Sequence, residues 1–151
     1  MHHPTRLCAL ALAAAMACTV ANAKSAAEWQ SLTSQTKVTL EQAIERATQA
    51  VPGKAIDAEL DDGKRSGLRY EVEVITPAGE RVEVWVDAAT GQATPHKNDG
   101  KAKRKDLQRL EDAKATLQQA IRSATAHTPG TPVNAELDAH WGKTSYQVDV
   151  L

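Results

Sequence analysis

The chain has 151 residues, of which 42% are apolar and 25% are charged, and its formal net charge at pH 7 is −1. This composition is typical of one folded domain or two small ones, and it excludes an intrinsically disordered chain. A net charge near zero gives no electrostatic reason to expect nucleic acid as a partner, and no apolar run of about 18 residues follows the N-terminal segment to span a membrane.

The first segment, residues 1–23, is typical of a signal peptide. It carries Arg6 near its start, then an apolar stretch, then Ala21 and Ala23 in an A-x-A arrangement. We therefore predict cleavage after Ala23 and a mature protein that is periplasmic or secreted. Lipid attachment at Cys18 is a less favoured alternative, because the preceding residues "AMA" lack the leucine usual three positions before such a cysteine.

Both cysteines of the chain, Cys8 and Cys18, lie in this first segment. The mature protein would therefore contain no disulfide, no thiolate nucleophile and no thiolate metal site, although it would enter an oxidising compartment. Its stability would depend on packing alone.

Two segments of the mature chain are closely similar. Residues 37–61, "KVTLEQAIERATQAVPGKAIDAELD", align without a gap on residues 114–138, "KATLQQAIRSATAHTPGTPVNAELD", with 14 of 25 positions identical. This density of matches at a fixed offset predicts a duplicated unit.

Each unit opens with a predicted amphipathic helix. Apolar residues of the first helix recur at spacings of three and four, which places them on one face: Leu40, Ala43, Ile44, Ala47 and Val51. Each helix is expected to begin with a capping box, Thr39 with Gln42 in the first and Thr116 with Gln119 in the second. Each is expected to stop at a Pro-Gly pair, Pro52-Gly53 and Pro129-Gly130.

Three segments of alternating apolar and polar residues follow the first helix. They lie around residues 56–60, 68–74 and 82–86, and their period of two predicts half-buried strands. Glycine-containing turns separate them, so we predict an antiparallel meander with one helix on its apolar face, an α+β fold. The second unit repeats the helix and two strands, and it lacks a counterpart of the third strand.

Residues 39–93 resemble the PepSY domain, a family named after peptidase propeptides and a spore-germination protein. The resemblance rests on "EQAI", "VPG", "KAIDAELD", "YEVEV" and "VEVWVDAATGQ". The motif residues that it assigns to structural roles lie in both units: Tyr70, Asp87, Thr90, Gly91, Pro52, Gly53, Pro129, Gly130 and Tyr146. The second unit matches the pattern only in part, since it has no Asp-x-x-Thr-Gly turn.

The resemblance implies a regulatory or inhibitory module that binds a peptidase. No peptidase domain is present in this sequence, so such a target would be engaged in trans. An envelope sensor, or a module that binds a metal ion or another small ligand, is the alternative, because PepSY-like repeats also occur in signalling contexts. A peptidase inhibitor should form a stoichiometric complex with its target, whereas a ligand-binding module should respond to a small molecule or metal ion.

The predicted organisation has five parts: a signal peptide at 1–23, a lead-in at 24–38, the first unit at 39–93, a linker with a helix lead-in at 94–115, and the incomplete second unit at 116–151. The linker begins with Pro95, Asn98, Asp99 and Gly100, the composition of a flexible turn, and continues into a basic cluster at 101–105. Nucleic-acid binding by that cluster is disfavoured because no aromatic residues are interleaved.

The missing third strand of the second unit predicts an open edge along residues 146–151. Three explanations compete. In the first, the second unit ends in a shortened or partly disordered sheet, as a truncating mutation in the gene would leave it. In the second, another copy or a partner supplies a strand and makes a homodimer or a complex, and in the third, the third strand of the first unit pairs with the edge.

We find no pattern of residues that indicates catalysis. The histidines of the predicted mature chain, His96, His127 and His140, lack the spacing that places two metal ligands on one helical face. No serine lies in a G-x-S-x-G context. No glycine-rich phosphate loop is present. The sequence therefore predicts a binding protein without enzymatic activity, cofactor or metal ion.

Trp85 is the residue that the strand pattern explains least. Strict alternation places it on the polar sheet face, together with four charged residues: Arg69, Glu71, Glu73 and Glu83. A large aromatic ring among charges is typical of an interaction surface. Two interpretations stay open: Trp85 anchors a partner, or the second unit or the segment around Trp29 covers it.

Overall fold

The computed structural model describes residues 24–151, so the predicted signal peptide, Cys8 and Cys18 lie outside the described residues. The described elements, in chain order, are α1 (Ala26–Thr33), α2 (Leu40–Ala50), β1 (Lys54–Asp61), β2 (Arg69–Ile75), β3 (Glu80–Asp87), β4 (Ala93–Lys101), α3 (Arg104–Asp112), α4 (Leu117–His127), β5 (Pro132–His140) and β6 (Lys143–Val150). No helix within this range is long and apolar enough to cross a bilayer.

The six strands form one antiparallel sheet in the order β4-β3-β2-β1-β5-β6, which confirms the α+β class. The strands predicted for the two units are therefore parts of one continuous sheet. β1 and β5 join the two halves through three residue pairs, Asp57 with Glu136, Ala58 with Ala135 and Glu59 with Asn134. Alternation along a strand tells which side chains share a face, but it does not tell which strands become neighbours.

The capping boxes of α2 and α4 are present as predicted. Thr39 Oγ1 accepts a hydrogen bond from the Gln42 N–H at 3.2 Å, and the Thr39 N–H donates to Gln42 Oε1 at 2.9 Å. The same pair of bonds links Thr116 and Gln119 at 3.2 and 2.8 Å. Both helices therefore begin where local chemistry satisfies their free N–H groups.

The apolar faces of α2 and α4 pack on the same side of the sheet and enclose the main core. The largest fully buried side chains come from both helices and from three strands, β2, β3 and β5: Leu40, Ile44, Leu117, Ile121, Val72, Val74, Val84, Val86 and Val133. The buried Tyr70 hydroxyl donates to the carbonyl of Val38 at 2.6 Å. The Tyr146 hydroxyl bonds the carbonyl of Ala115 in the same way before α4.

The turn after β3 is built by the Asp-x-x-Thr-Gly motif. Asp87 Oδ1 accepts hydrogen bonds from the N–H groups of Ala89 and Thr90, both at 2.8 Å, and these bonds lower the pKa of the Asp87 carboxyl. Gly91 has a φ of +75°, a conformation that L side chains rarely adopt. The turn directs the chain from β3 into β4.

The segment predicted as a flexible turn forms a strand instead. β4 pairs with β3 at the edge of the sheet, where Pro95 costs little because its missing N–H is not needed by a further strand. Most side chains of β4 are exposed, so the strand shows no apolar alternation that the sequence pattern could reveal. The basic cluster that follows leads into α3.

Helix α3 lies across one end of the sheet. Its Asp106 bonds Arg81 of β3 at 3.2 Å, and its Arg109 lies 3.6 Å from Asp138 of β5. Leu110 and Ala113 pack against a second small cluster of buried residues, Ile56, Ile75 and Leu137. The polar face of the sheet is therefore covered at this end, away from Trp85.

The third explanation for the edge of the second unit is wrong. β3 pairs with β2 on one side and with β4 on the other, so it is not available to β6. Within residues 24–151, β6 pairs with β5 alone.

Candidate interaction surface

The five residues predicted to form an interaction surface lie together on the sheet face opposite α2 and α4. Cross-strand pairing places Glu71 opposite Trp85 and Glu73 opposite Glu83. Arg69 lies at the start of β2, one residue pair from Trp85 along the same face. We refer to this set, Arg69, Glu71, Glu73, Glu83 and Trp85, as the Trp85 surface.

Three side chains hold the Trp85 ring in place. The guanidinium of Arg69 lies 3.9 Å from the ring centroid, and the imidazole of His96 stacks on the ring at 3.5 Å with an interplanar angle of 14°. The indole N–H donates to Glu83 Oε1 at 2.5 Å. Neither the second unit nor Trp29 supplies these contacts, since Trp29 packs against the main core. The ring is thus half-buried and fixed by its own strand and the two flanking strands.

The sequence pattern placed His96 in the linker at 94–115 and gave no indication that it lies against Trp85. It is the extra residue of a β-bulge, because Glu83 pairs with Lys97 while Val84 pairs with Pro95. A bulge redirects a side chain relative to the regular alternation, and here it directs the imidazole onto Trp85. No local sequence signal marks a bulge in an exposed edge strand.

Arg69 is itself held by two carboxylates. Its Nε donates to Glu71 Oε1 at 3.0 Å, and its guanidinium lies 3.3 Å from Asp61. These contacts leave little freedom for the guanidinium, so it stays over the aromatic ring, where cation–π attraction adds to the ion pairs. An open cavity of about 300 Å³ lies beside the ring and is bordered by Leu68, Gln92 and Thr94.

Acidic residues surround the Trp85 surface on the β1 and β5 side. Glu73 forms an ion pair with Arg81, which also bonds Asp106 of α3. Burial raises the pKa of Asp57 to about 7, with further contributions from Glu59 and Glu136. Burial also raises the pKa of Glu59, and Glu71 adds to the effect. The face therefore combines a fixed aromatic ring with an excess of carboxylates.

The cluster around Asp57 predicts a pH-dependent stability. The folded protein holds the Asp57 proton up to about pH 7, whereas the unfolded chain releases it near the ordinary pKa of 3.8. Between these values the folded state binds more protons, so the contribution of Asp57 to the free energy of unfolding falls as pH rises from about 4 to about 7. We expect Asp57→Asn to remove this slope and to stabilise the protein by about 1–2 kcal/mol at pH 8, after allowance for solvent screening.

The measurement is urea unfolding of wild type and Asp57→Asn at pH 4, 6 and 8. Asp112→Asn, which removes the same charge from an exposed position on α3, is the control. A difference between Asp57→Asn and wild type that is the same at all three pH values would contradict the prediction.

The three histidines within residues 24–151 are not gathered into a metal site. His96 stacks on Trp85, His127 lies at the end of α4 and His140 contacts Trp141 edge to face beside the β5–β6 turn. No group of three or more histidine, cysteine, aspartate or glutamate side chains within residues 24–151 is arranged to hold a metal ion.

Residues 37–94 match the family model described as "Peptidase propeptide and YPEB domain", the PepSY family. This range contains α2, the meander of β1 to β3 and the start of β4. Residues 37–94 form a PepSY domain. Its motif residues Tyr70 and Asp87 make the hydrogen bonds described above, and Gly91 adopts the positive φ of the turn after β3. Trp85 lies on the polar face of this domain.

No curated protein matches the chain with significance. Among solved structures, a predicted lipoprotein from Clostridium difficile 630 is similar at 22% sequence identity and a TM-score of 0.44, with 79% of this chain and 82% of that chain covered.

Proposed function

We propose that this protein is an exported, non-enzymatic binding protein that inhibits or modulates an envelope peptidase in trans through the Trp85 surface. The PepSY family is named for peptidase propeptides, which supports a peptidase as the partner. Export is supported by the N-terminal segment, with its A-x-A site before Lys24. Self-association at the open edge of β6 is a second part of this proposal and is developed in the next subsection.

The observation that carries the proposal is the immobilised ring of Trp85. Tryptophan and arginine are the residues most enriched at the energetic centres of protein interfaces. Because Arg69, His96 and Glu83 already fix the ring, a partner that contacts its free edge loses little side-chain entropy there. A tryptophan held this way on a sheet face is suited to act as a rigid anchor.

The charges around the ring indicate the chemistry of the complementary segment. Glu59 and Glu71 present carboxylates on the β1 and β2 side of Trp85, and Asp57 adds a third acidic side chain there whose pKa is raised to about 7. Protein interfaces bring surfaces of opposite electrostatic potential together. We therefore expect the contacting segment of the peptidase to carry lysine or arginine for the carboxylates, beside an apolar side chain for the Trp85 ring.

We expect Trp85→Ala to weaken peptidase binding by about thirtyfold, the loss typical of a central interface tryptophan at about 2 kcal/mol. Peptidases captured by crosslinking in the native envelope fraction would be purified, and their activity titrated with wild type and with the variant. Wild type should inhibit or otherwise change the activity with a stoichiometric end point. Trp85→Ala should need a higher concentration than wild type to produce the same change in activity.

The matched control is Trp141→Ala. Trp141 is 91% exposed in the turn between β5 and β6, so its loss removes the same side chain far from the Trp85 surface. Equal losses for the two variants would contradict the assignment of the binding face. If no peptidase changes its activity in the presence of wild type, the proposed function is wrong, and a small ligand, tested by thermal shift, becomes the better hypothesis.

A further inference from the structure

The open edge of β6 has an unbroken set of backbone groups ready for pairing. Trp141 and Gly142 have φ values of 51° and 73°, so the β5–β6 hairpin closes with a two-residue turn of the primed type. In such a hairpin His140 and Lys143 form the first hydrogen-bonded pair. Non-hydrogen-bonded and hydrogen-bonded residue pairs then alternate along the two strands, and the residues of the non-bonded pairs direct their backbone groups away from the partner strand. Thr144, Tyr146 and Val148 therefore direct their N–H and C=O groups to the open side.

The two edges of the sheet differ in protection. β4 carries Pro95, two register shifts against β3, and the charged pair Lys97 and Asp99. These are the features by which edge strands avoid pairing with other chains. From Lys143 to Asp149, β6 has no proline, and its register with β5 has no shift. The β6 edge is thus the one able to accept another strand.

A groove accompanies this edge on the helix side, and its lining is mainly apolar with three polar side chains, Gln119, Ser123 and His127. It has a volume of about 610 Å³ and lies between α4 and β6, where Ala120, Ala124, Tyr146 and Val148 line it. In the PepSY domain the corresponding position beside β2 is filled by β3, whose Val82, Val84 and Val86 are all buried. The groove therefore lies at the position that β3 occupies in the PepSY domain.

We propose that a second copy of this chain fills this position, with β6 pairing antiparallel to β6 across a two-fold axis at Tyr146. The outward backbone groups of Tyr146 would then bond reciprocally with those of the second copy. This proposal rests on the self-association part of the proposed function and is independent of the peptidase. It extends the six-stranded sheet into a continuous one through both copies.

Charge complementarity selects this register. With Tyr146 on the axis, Lys143 lies opposite Asp149 of the second copy, and Asp149 lies opposite Lys143 of the second copy. Both side chains are exposed and lie on the sheet face away from α4. Moving the axis to Gln147 would place Ser145 opposite Asp149 and lose both ion pairs. Opposite charges that face each other directly across antiparallel strands stabilise the pairing, and like charges oppose it.

The same geometry supplies apolar contacts in the groove. In this register Thr144 lies opposite Val148 of the second copy, and the two Tyr146 side chains are neighbours on the helix side. Val148 is half-buried in the single chain, so pairing would remove its remaining exposed surface from water.

The test exchanges the charges at positions 143 and 149 and measures the dimer dissociation constant of the purified protein by sedimentation equilibrium. We expect wild type to dimerise, and Lys143→Glu and Asp149→Lys each to raise the dimer dissociation constant about tenfold, because each creates two like-charge contacts. An equimolar mixture of the two variants should form heterodimers, since each variant charge then meets its opposite. The double variant Lys143→Glu/Asp149→Lys should dimerise like wild type.

Lys64→Glu, an exposed charge reversal in the β1–β2 loop, is the control and should leave dimerisation unchanged. A wild-type protein that stays monomeric up to about 1 mM would overturn the proposal, as would dimers that neither single variant weakens. Trp85→Ala should dimerise normally and Lys143→Glu should bind the peptidase normally, so a failure of this inference is distinguishable from a failure of the proposed function.

Discussion

Ile44→Ala is expected to lower the free energy of unfolding by about 3–4 kcal/mol, the largest effect of any single substitution considered. Ile44 is completely buried in the middle of α2, and this helix lies on β1, β2, β3 and β4. Truncation removes three carbon atoms from a site enclosed on all sides. The surrounding sheet cannot collapse into the space, so the cost of the cavity adds to the loss of apolar burial.

Ile121→Ala is the matched comparison, because Ile121 occupies the same position in α4. Its helix covers β5, β6 and part of β1, and the open groove lies beside it. We expect a smaller loss of about 2 kcal/mol, since neighbouring side chains can move toward the vacant space. Urea unfolding followed by circular dichroism would measure both. A loss below about 1 kcal/mol for Ile44→Ala would contradict the assigned packing of α2.

Gly53→Ala is expected to destabilise the protein by about 2–3 kcal/mol through a steric clash. A Cβ atom at Gly53 would meet the backbone carbonyl of Ile75 and would lie 2.8 Å from a methyl group of Val74. Ile75 pairs with Lys54 in the first step of the β1–β2 ladder. Because the obstacle is backbone, relief of the clash requires the two strands to separate at this end.

Gly79→Ala separates this mechanism from the conformational cost of replacing a glycine. Gly79 has a φ of +76° with open space around its Cα, whereas the clash at Gly53 does not depend on a positive φ. We expect Gly79→Ala to cost only about 1 kcal/mol, the price of a left-handed conformation for an L residue. Thermal unfolding of the two variants provides the comparison. Equal losses would show that close approach at Gly53 is not the cause.

The strands of the PepSY domain could be predicted in detail because their burial is periodic. Val82, Val84 and Val86 alternate with charged residues and with Trp85, and the structure buries the first three and places the rest on the polar face. The composition of the Trp85 surface followed from the same rule. All five residues of the Trp85 surface could therefore be predicted from the sequence.

The contact of His96 with the Trp85 surface could not be predicted from the sequence. His96 reaches Trp85 through a bulge in a strand whose side chains are mostly exposed, and an exposed strand carries no apolar period. Pro95, Asn98 and Gly100 are typical of turns, and pairing with β3 overrides that local preference. The fixed orientation of Trp85 is consequently a tertiary property.

What the sequence by itself determined is local. The capping boxes at Thr39 and Thr116, the helix faces and the alternation of the strands depend on neighbours within a few residues, so the pattern contains them. What only the tertiary structure decided is which edges meet: β1 with β5, β4 with β3, and β6 with no strand of the described chain. Strand edges present the same N–H and C=O groups whatever their side chains, so backbone chemistry permits many pairings and the packing of the whole core selects one.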